Sequence, residues 1–319
     1  MNVARYSRKN DFIVIGAAGV DTNIYLLGRD INFEVEANFT ENIDYVGQAG
    51  GYTTLGFAQL GHKTGYIGYV GADFNGQFIR DVFSTHNIDV LYFIDPAGTK
   101  RSVNFMYKDG RRKNFYDGKS HMTLKPDITK CKEMLQRSSF VHFNLMNWSR
   151  YLLPTAKELG LPISCDLQDI VNIQDPYRQD FIKAANILFF SNVNFRNPTL
   201  IIQTLQKTNP DAIIIVGMGS DGCALGFQNK IQFFKPIELL NRPIIDTNGA
   251  GDGLVVGILS SYLKEKLTLK EAILRGQIVA RYTCSIKGNL TSLITKKQLD
   301  DYFQELKDHI APYKEGKLS

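Results

Sequence analysis

Short apolar runs rich in β-branched and aromatic residues recur along this chain, and segments of helical period follow several of them. The clearest are Phe12–Gly16, Gly65–Val70, Phe140–Phe143, Pro162–Asp166, Ile187–Phe190 and Ala212–Val216. A strand that is apolar along its whole length must be covered on both faces. Alternation of such strands with helices is the pattern of a mostly parallel sheet held between two helical layers. The spacing predicts a three-layer α/β fold running as one unit over residues 1–319, since no repeat, low-complexity tract or linker divides it.

Three segments show helical period. Phe74, Phe78, Val82 and Phe83 fall on one face; Leu254–Leu263 is almost all apolar and reads as a buried helix. Thr268–Ile286 carries an apolar stripe and opens on a capping box, Thr268 with Glu271. Two other segments keep strand period. Ile31, Phe33, Val35 and Ala37 alternate with polar residues, as do Val103, Phe105 and Tyr107; Asp109-Gly110 marks a hairpin turn, with Arg112–Tyr116 as the return strand. Antiparallel strands from about 31–47 and 96–116 are therefore expected to form one small β lid beside the core. One face of that sheet can close over a ligand. The other, if apolar, needs a partner, because large exposed apolar patches are unusual on monomers.

Composition narrows the function. The formal charge of +5 comes with no basic block, so nucleic acid is not an expected partner. No stretch approaches the ~18 apolar residues of a membrane helix, and the polar start MNVARYSRKND is not expected to act as a signal peptide. Cys131, Cys165, Cys223 and Cys284 lie far apart with no CxxC pair. That spacing supports neither a zinc nor a redox site, and a reducing, cytoplasmic location is expected.

The densest chemical signal is Asp246-Thr247-Asn248-Gly249-Ala250-Gly251-Asp252, set just before the apolar helix. Small residues let the backbone turn closely into a helix, whose free N–H groups at Gly249, Ala250 and Gly251 can converge on an anion. A carboxylate directly after them repels a phosphate if anion binding is the sole purpose. It makes sense if Asp252 accepts the proton of an attacking hydroxyl. The plain alternative is an acidic first turn that favours the helix dipole by roughly 0.3–1 kcal/mol.

The heptapeptide resembles the C-terminal signature of the ribokinase/PfkB carbohydrate and nucleoside kinases. Further likenesses follow in the family's order. Gly16-Ala17-Ala18-Gly19-Val20-Asp21 resembles the strand end whose aspartate binds substrate hydroxyls. Gly50-Gly51 resembles the N-terminal Gly-Gly signature, Gly68–Gly76 the GxxGxDxxG segment, and Val216–Gly222 the nucleotide-side glycine loop. The resemblance implies a ribokinase-like fold and transfer of the ATP γ-phosphoryl group to a hydroxyl of a small carbohydrate. Asp21, Gly50 and Gly51 would hold the acceptor; Asn192, Gly219 and Gly222 would face the nucleotide. Mg²⁺ would accompany ATP, Asp246 would take a monovalent cation such as K⁺, and two chains would pair as a homodimer through the lid. Two positions depart from the pattern: Leu55 replaces an expected asparagine and Phe195 an expected glutamate. Asn194 or Asp166 would make up for the second loss.

Each residue also has its own reading. Asp21 after a strand suits the carboxyl edge of an open α/β sheet, where ligands bind. Asp73 caps the helix that follows it. Gly219 and Gly222 fit a hairpin between two strands as well as a nucleotide loop. Phe105, Tyr107 and Phe115 would stack on a base if the acceptor were a nucleoside, and Lys100, Arg101, Arg111, Arg112 and Lys113 would meet a sugar phosphate or form a solvated surface. A non-catalytic nucleotide or sugar sensor on the same fold is the reading that Leu55 and Phe195 favour and Asp252 opposes. A nicotinamide-dependent oxidoreductase is disfavoured, since GAAGVD lacks the GxGxxG spacing.

Overall fold

The structure is a computed structural model that describes residues 9–195, 197–238, 242–288, 293–309 and 312–317. In chain order its elements are β1 (Asn10–Ile15), β2 (Gly19–Leu26), β3 (Thr40–Gly47), α1 (Gln48–Gln59), β4 (Thr64–Val70), α2 (Phe74–Thr85), β5 (Asp89–Ile94), β6 (Arg101–Met106), β7 (Arg112–Asp117), α3 (Ile128–Leu135), β8 (Ser138–Asn144) and α4 (Leu153–Glu158). There follow β9 (Ile163–Asp169), α5 (Gln179–Ala184), β10 (Ile187–Ser191), α6 (Thr199–Thr208), β11 (Ile213–Gly217), β12 (Cys223–Phe227), β13 (Lys230–Phe234), α7 (Ala250–Leu259), α8 (Leu269–Thr283), α9 (Lys296–Leu306) and β14 (Lys314–Lys317).

The large sheet has the order β14-β13-β12-β11-β10-β9-β8-β1-β4-β5. From β11 to β5 every pairing is parallel, and the expected apolar runs become β1, β4, β8, β9, β10 and β11. The strands β12, β13 and β14 add an antiparallel edge. Alternation explains the layers. Phe12 and Val14 of β1 enter a core shared with α1, α2, α7, α8 and α9, while Ile13 and Ile15 enter a second core against α3, α4, α5 and α6. Each fully buried side chain of this kind contributes roughly 1.5–3 kcal/mol. The helices α7 and α8 lie so close that a β-carbon on Gly257 would stand 2.7 Å from the Cα of Gly276. The capping box of α8 forms as expected between Thr268 and Glu271. The apolar helix is regular only to Leu259 and then widens into a π-turn over Ser260–Lys264.

The small sheet has the order β3-β2-β6-β7. It is mixed, because β2 and β6 run parallel while β2–β3 and β6–β7 are antiparallel. The Asp109-Gly110 turn and its return strand are as expected; Gly110 has φ +86°. The expected strand over Ile31–Ala37 is absent. Asn32 and Asn38 explain why: the Asn32 N–H donates to Asn38 Oδ1 at 2.8 Å, the Asn38 amide donates to Asn32 O at 2.9 Å, and Asn32 Oδ1 accepts from Glu34 N at 2.9 Å. Such side-chain bonds compete with a strand ladder, and they leave Phe33 89% exposed. The strand pair is carried instead by the less regular sequences of β2 and β3. Phe74 leaves its expected helix face and is exposed, while Phe78, Val82 and Phe83 of that face pack on the core together with Ile79. No helix among the described residues is long and apolar enough to cross a membrane, and all four cysteines are free thiols.

Candidate active site

The chain leaves β1 through Gly16–Ala18 and enters β2 directly, so the carboxyl edge of the large sheet meets the small sheet at Asp21. Asp21 thus stands just past the carboxyl end of β1, as a residue of strand β2 in the small sheet. Register puts Tyr45, Asp21, Ser102 and Tyr116 in one row across the sheet, and Asn23, Asn104 and Asn114 in the next row on the same face. The hydrogen bonds follow these rows: Asn114 Nδ2 donates to Asn104 Oδ1 at 2.7 Å, and Asn104 Nδ2 to Asn23 Oδ1 at 2.9 Å. Phe105 and Phe115 occupy the opposite face, where their rings meet edge to face at 5.8 Å.

Asp21 is buried, and burial pushes its carboxyl up to about 6 against the donors that favour ionisation. Its main partner is Gln48, whose Nε2 donates to Asp21 Oδ1 at 2.6 Å and also reaches Ser102 Oγ at 2.7 Å. Gln48 opens α1 with φ +63°, a left-handed conformation that costs a non-glycine residue energy and is found where function over-determines the backbone. Nothing in the sequence singled it out. Gly50 and Gly51 are buried in the first turn of α1, with Gly50 N bonded to Ala17 O at 2.8 Å. They let α1 pack against the strand exit. Leu55 is a core residue, 1% exposed.

The loop before α7 faces the same sheet. Asp246 is buried, and its Oδ2 accepts from Asn23 Nδ2 and from Tyr25 Oη, each at 2.6 Å, while Oδ1 accepts from Asn248 N at 2.8 Å. The carboxylate expected to hold a monovalent cation is thus engaged by protein donors that tie the loop to β2. Gly249 starts α7 with φ +75°, and a β-carbon there would run into the Tyr52 ring. The Ala250 N–H turns back to Thr247 O at a long 3.4 Å. Gly251 is exposed, and nothing lies within 4 Å of where its β-carbon would be. Asp252 follows in the first turn. Burial raises its carboxyl well above the usual range, and the charges of Asp166 and Asp21 raise it further, while Arg112 acts in the opposite direction. Asp166, in β9, is itself pushed up to about 6 by burial, with Asp169 adding to the rise.

The other expected positions lie along the same sheet edge or near it. Asn192 follows β10, with its N–H on Gly217 O at 3.1 Å; Phe195 packs onto the second core, and Asn194 Nδ2 reaches Ile170 O at 3.3 Å. Gly219 and Gly222 form the tight turn between the antiparallel strands β11 and β12, with φ +58° and +92°. Asp73 caps α2 through Gly76 N at 2.8 Å and holds Thr99, a structural role as expected.

Comparisons with known proteins agree with this fold. Residues 11–296 match the profile described as pfkB family carbohydrate kinase. The chain is 23% identical over 295 residues to an acarbose 7(IV)-phosphotransferase from Actinoplanes sp., covering 92% of this chain and 98% of the relative. A microbiome-derived acarbose kinase has a similar structure, with a TM-score of 0.86 at 28% identity, over 93% of this chain and 99% of the other. Arabidopsis thaliana ribokinase complexed with ribose and ATP superposes with a TM-score of 0.76 at 19% identity, over 92% and 99% of the two chains, and shares the fold. With this architecture and a match over most of its length, the chain belongs to the pfkB family of carbohydrate kinases, phosphotransferases whose acceptor is a hydroxyl group.

Proposed function

We propose that this chain moves the γ-phosphoryl group of ATP in line onto a hydroxyl of a small saccharide bound beneath the small sheet. The observation that carries the reading is Asp252 in the first turn of α7, directly after an exposed, unobstructed Gly251 and within reach of the charge of Asp21. The acceptor oxygen bonds to phosphorus as the bond from phosphorus to the β,γ-bridging oxygen breaks. Asp252 takes the hydroxyl proton, and ADP leaves with the electron pair. Catalysis of such a transfer is mostly positioning and charge stabilisation. Asp21, oriented by Gln48, holds the acceptor hydroxyls. The N–H groups of Gly249 and Gly251, with Ala250 between them, cradle the transferring oxygens. Asn192, Gly219 and Gly222 form the nucleotide side. Among the described residues no cluster of three or more His, Cys, Asp or Glu side chains forms a metal cage. That suits Mg²⁺, which binds through nucleotide phosphates, waters and one or two carboxylates. Asp166 is the carboxylate that fits, since a nearby cation offsets the cost of its buried charge. When bound, Mg²⁺ neutralises the phosphate oxygens.

The saccharide reading is supported by the names of the relatives and by the polar inner face of the small sheet, lined by Asp21, Ser102, Asn114 and Tyr116. The nucleoside reading loses two of its three stacking residues, because Phe105 and Phe115 face away. The small sheet acts as a lid, and its outer face, with Ile24, Val103, Phe105 and Phe115, pairs two chains as a homodimer. Free thiols fit a reducing compartment such as the cytoplasm. The test is ADP release with ATP and a panel of mono- and oligosaccharides, sugar phosphates and nucleosides. Release that depends on a saccharide supports the reading; release only with nucleosides, or nucleotide binding without any release, overturns it.

A further inference from the structure

Arg112 is the first residue of β7, an edge strand of the lid. Its neighbour Arg111 is tied up by carboxylates, Asp109 at 2.7 Å and Asp30 at 3.4 Å. Arg112 stands two residues from Asn114 and four from Tyr116, on the inner face of the sheet, and among the described residues it forms no ion pair. Its guanidinium instead donates to Asn248 Oδ1. Asn248 immediately precedes the glycine loop, and its side-chain nitrogen is fastened to Asn23 Oδ1 at 3.2 Å. An exposed arginine of the lid is thereby held at the rim of the anion loop.

We propose that Arg112 is a catalytic residue supplied by the lid, which swings from Asn248 onto the transferring phosphoryl group when acceptor and ATP are both bound. The proposal rests on the kinase reading above. Its physical basis is charge. Asp21, Asp166 and Asp252 gather in a site that must also admit a triphosphate. Burial is the main cost to the carboxyls of Asp21 and Asp252, and Arg112 is a cation whose charge favours the ionised form of both. A guanidinium offers paired donors suited to phosphate oxygens. The amide oxygen of Asn248 is a weak competitor, so the phosphoryl group displaces it readily. Since the arginine sits on the lid, the reacting centre gains this guanidinium only when the lid is down, which links acceptor binding to the chemical step.

The variants are Arg112→Met, Arg112→Lys and Arg112→Ala, each checked for an unchanged circular dichroism spectrum. Arg112→Met is expected to lower kcat about 10²- to 10³-fold, as loss of a transition-state cation does, with KM for ATP within a few-fold of wild type. Arg112→Lys should keep part of the rate, and added guanidine should restore part of it to Arg112→Ala. A second measurement needs no turnover: binding of ADP with magnesium and aluminium fluoride, a mimic of the phosphoryl group in flight, in the presence of acceptor. Affinity should fall at least tenfold in Arg112→Met while ADP alone binds as before. Unchanged kcat, or equal binding of the fluoride complex by wild type and Arg112→Met, overturns the role of Arg112. Wild type that releases no ADP with any acceptor overturns the kinase reading instead, and the binding measurement still decides on Arg112.

Discussion

At the scale of single residues, the different roles proposed for Asp21 and Asp252 follow from where each one stands. Asp252 stands at the helix start, next to where phosphate is proposed to lie. Asp252→Asn is expected to bind ATP nearly as wild type and to lose about 10²- to 10⁴-fold in kcat, the usual worth of a general base; separate kcat and nucleotide-binding measurements check it. Asp21 lies in a strand and is buried, with its carboxyl raised from 3.8 to about 6. A raised folded value means that the folded state prefers the neutral acid. The associated stability is complete below the unfolded value and is lost as pH rises through about 6. Asp21→Asn should therefore stabilise the fold at pH 8 by about 1–3 kcal/mol, less whatever its hydrogen bonds contributed, and the gain should shrink as pH falls from 6 toward 4. Denaturant unfolding at these pH values measures it, and acceptor KM should rise in the same variant. The sequence motif marked both aspartates. Gln48 and Arg112 were not legible in the same way, since a glutamine after a glycine and an arginine in a basic run look like ordinary surface until the sheet register aims them.

At the scale of elements, the loop from Asp246 to α7 separates two kinds of glycine. Gly249 is required by the backbone, with φ +75° and the Tyr52 ring where a side chain would go. Gly249→Ala should destabilise the fold by roughly 1–3 kcal/mol, read as a lower denaturant midpoint. Gly251 has open space instead. Gly251→Val should fold with an unfolding midpoint close to wild type yet lose most turnover, because the added branches fill the space proposed for phosphate. A folded Gly251→Val with full kcat would remove the loop from the mechanism. The lid strands show the limit of periodicity. Residues 31–37 alternate more cleanly than β2 or β3, but Asn32 and Asn38 close a local turn there, and pairing partners decided which segments became strands.

At the scale of the whole molecule, the lid has a polar inner face held to the core by Asn23, Tyr25 and Asp246, and an outer face with Val103, Phe105 and Phe115 partly in solvent. Val103→Asp should halve the sedimenting mass if two lids pair through that face, with the central sheet still folded by circular dichroism; an unchanged mass would place any dimer contact elsewhere. The sequence by itself determined the layered α/β core, its parallel strands and the start of α7, because those depend on local apolar period and on turn chemistry that neighbours in the chain can specify. It also carried the family signature with Asp252. Only the tertiary structure decided that Asp21 belongs to a strand of the small sheet, that Asp246 accepts hydrogen bonds from Asn23 and Tyr25 of that sheet, and that Arg112 rather than its neighbours turns inward. Those outcomes depend on register across β2, β6 and β7 and on contacts between residues more than a hundred positions apart, and no local pattern encodes which of several similar side chains a distant strand will meet.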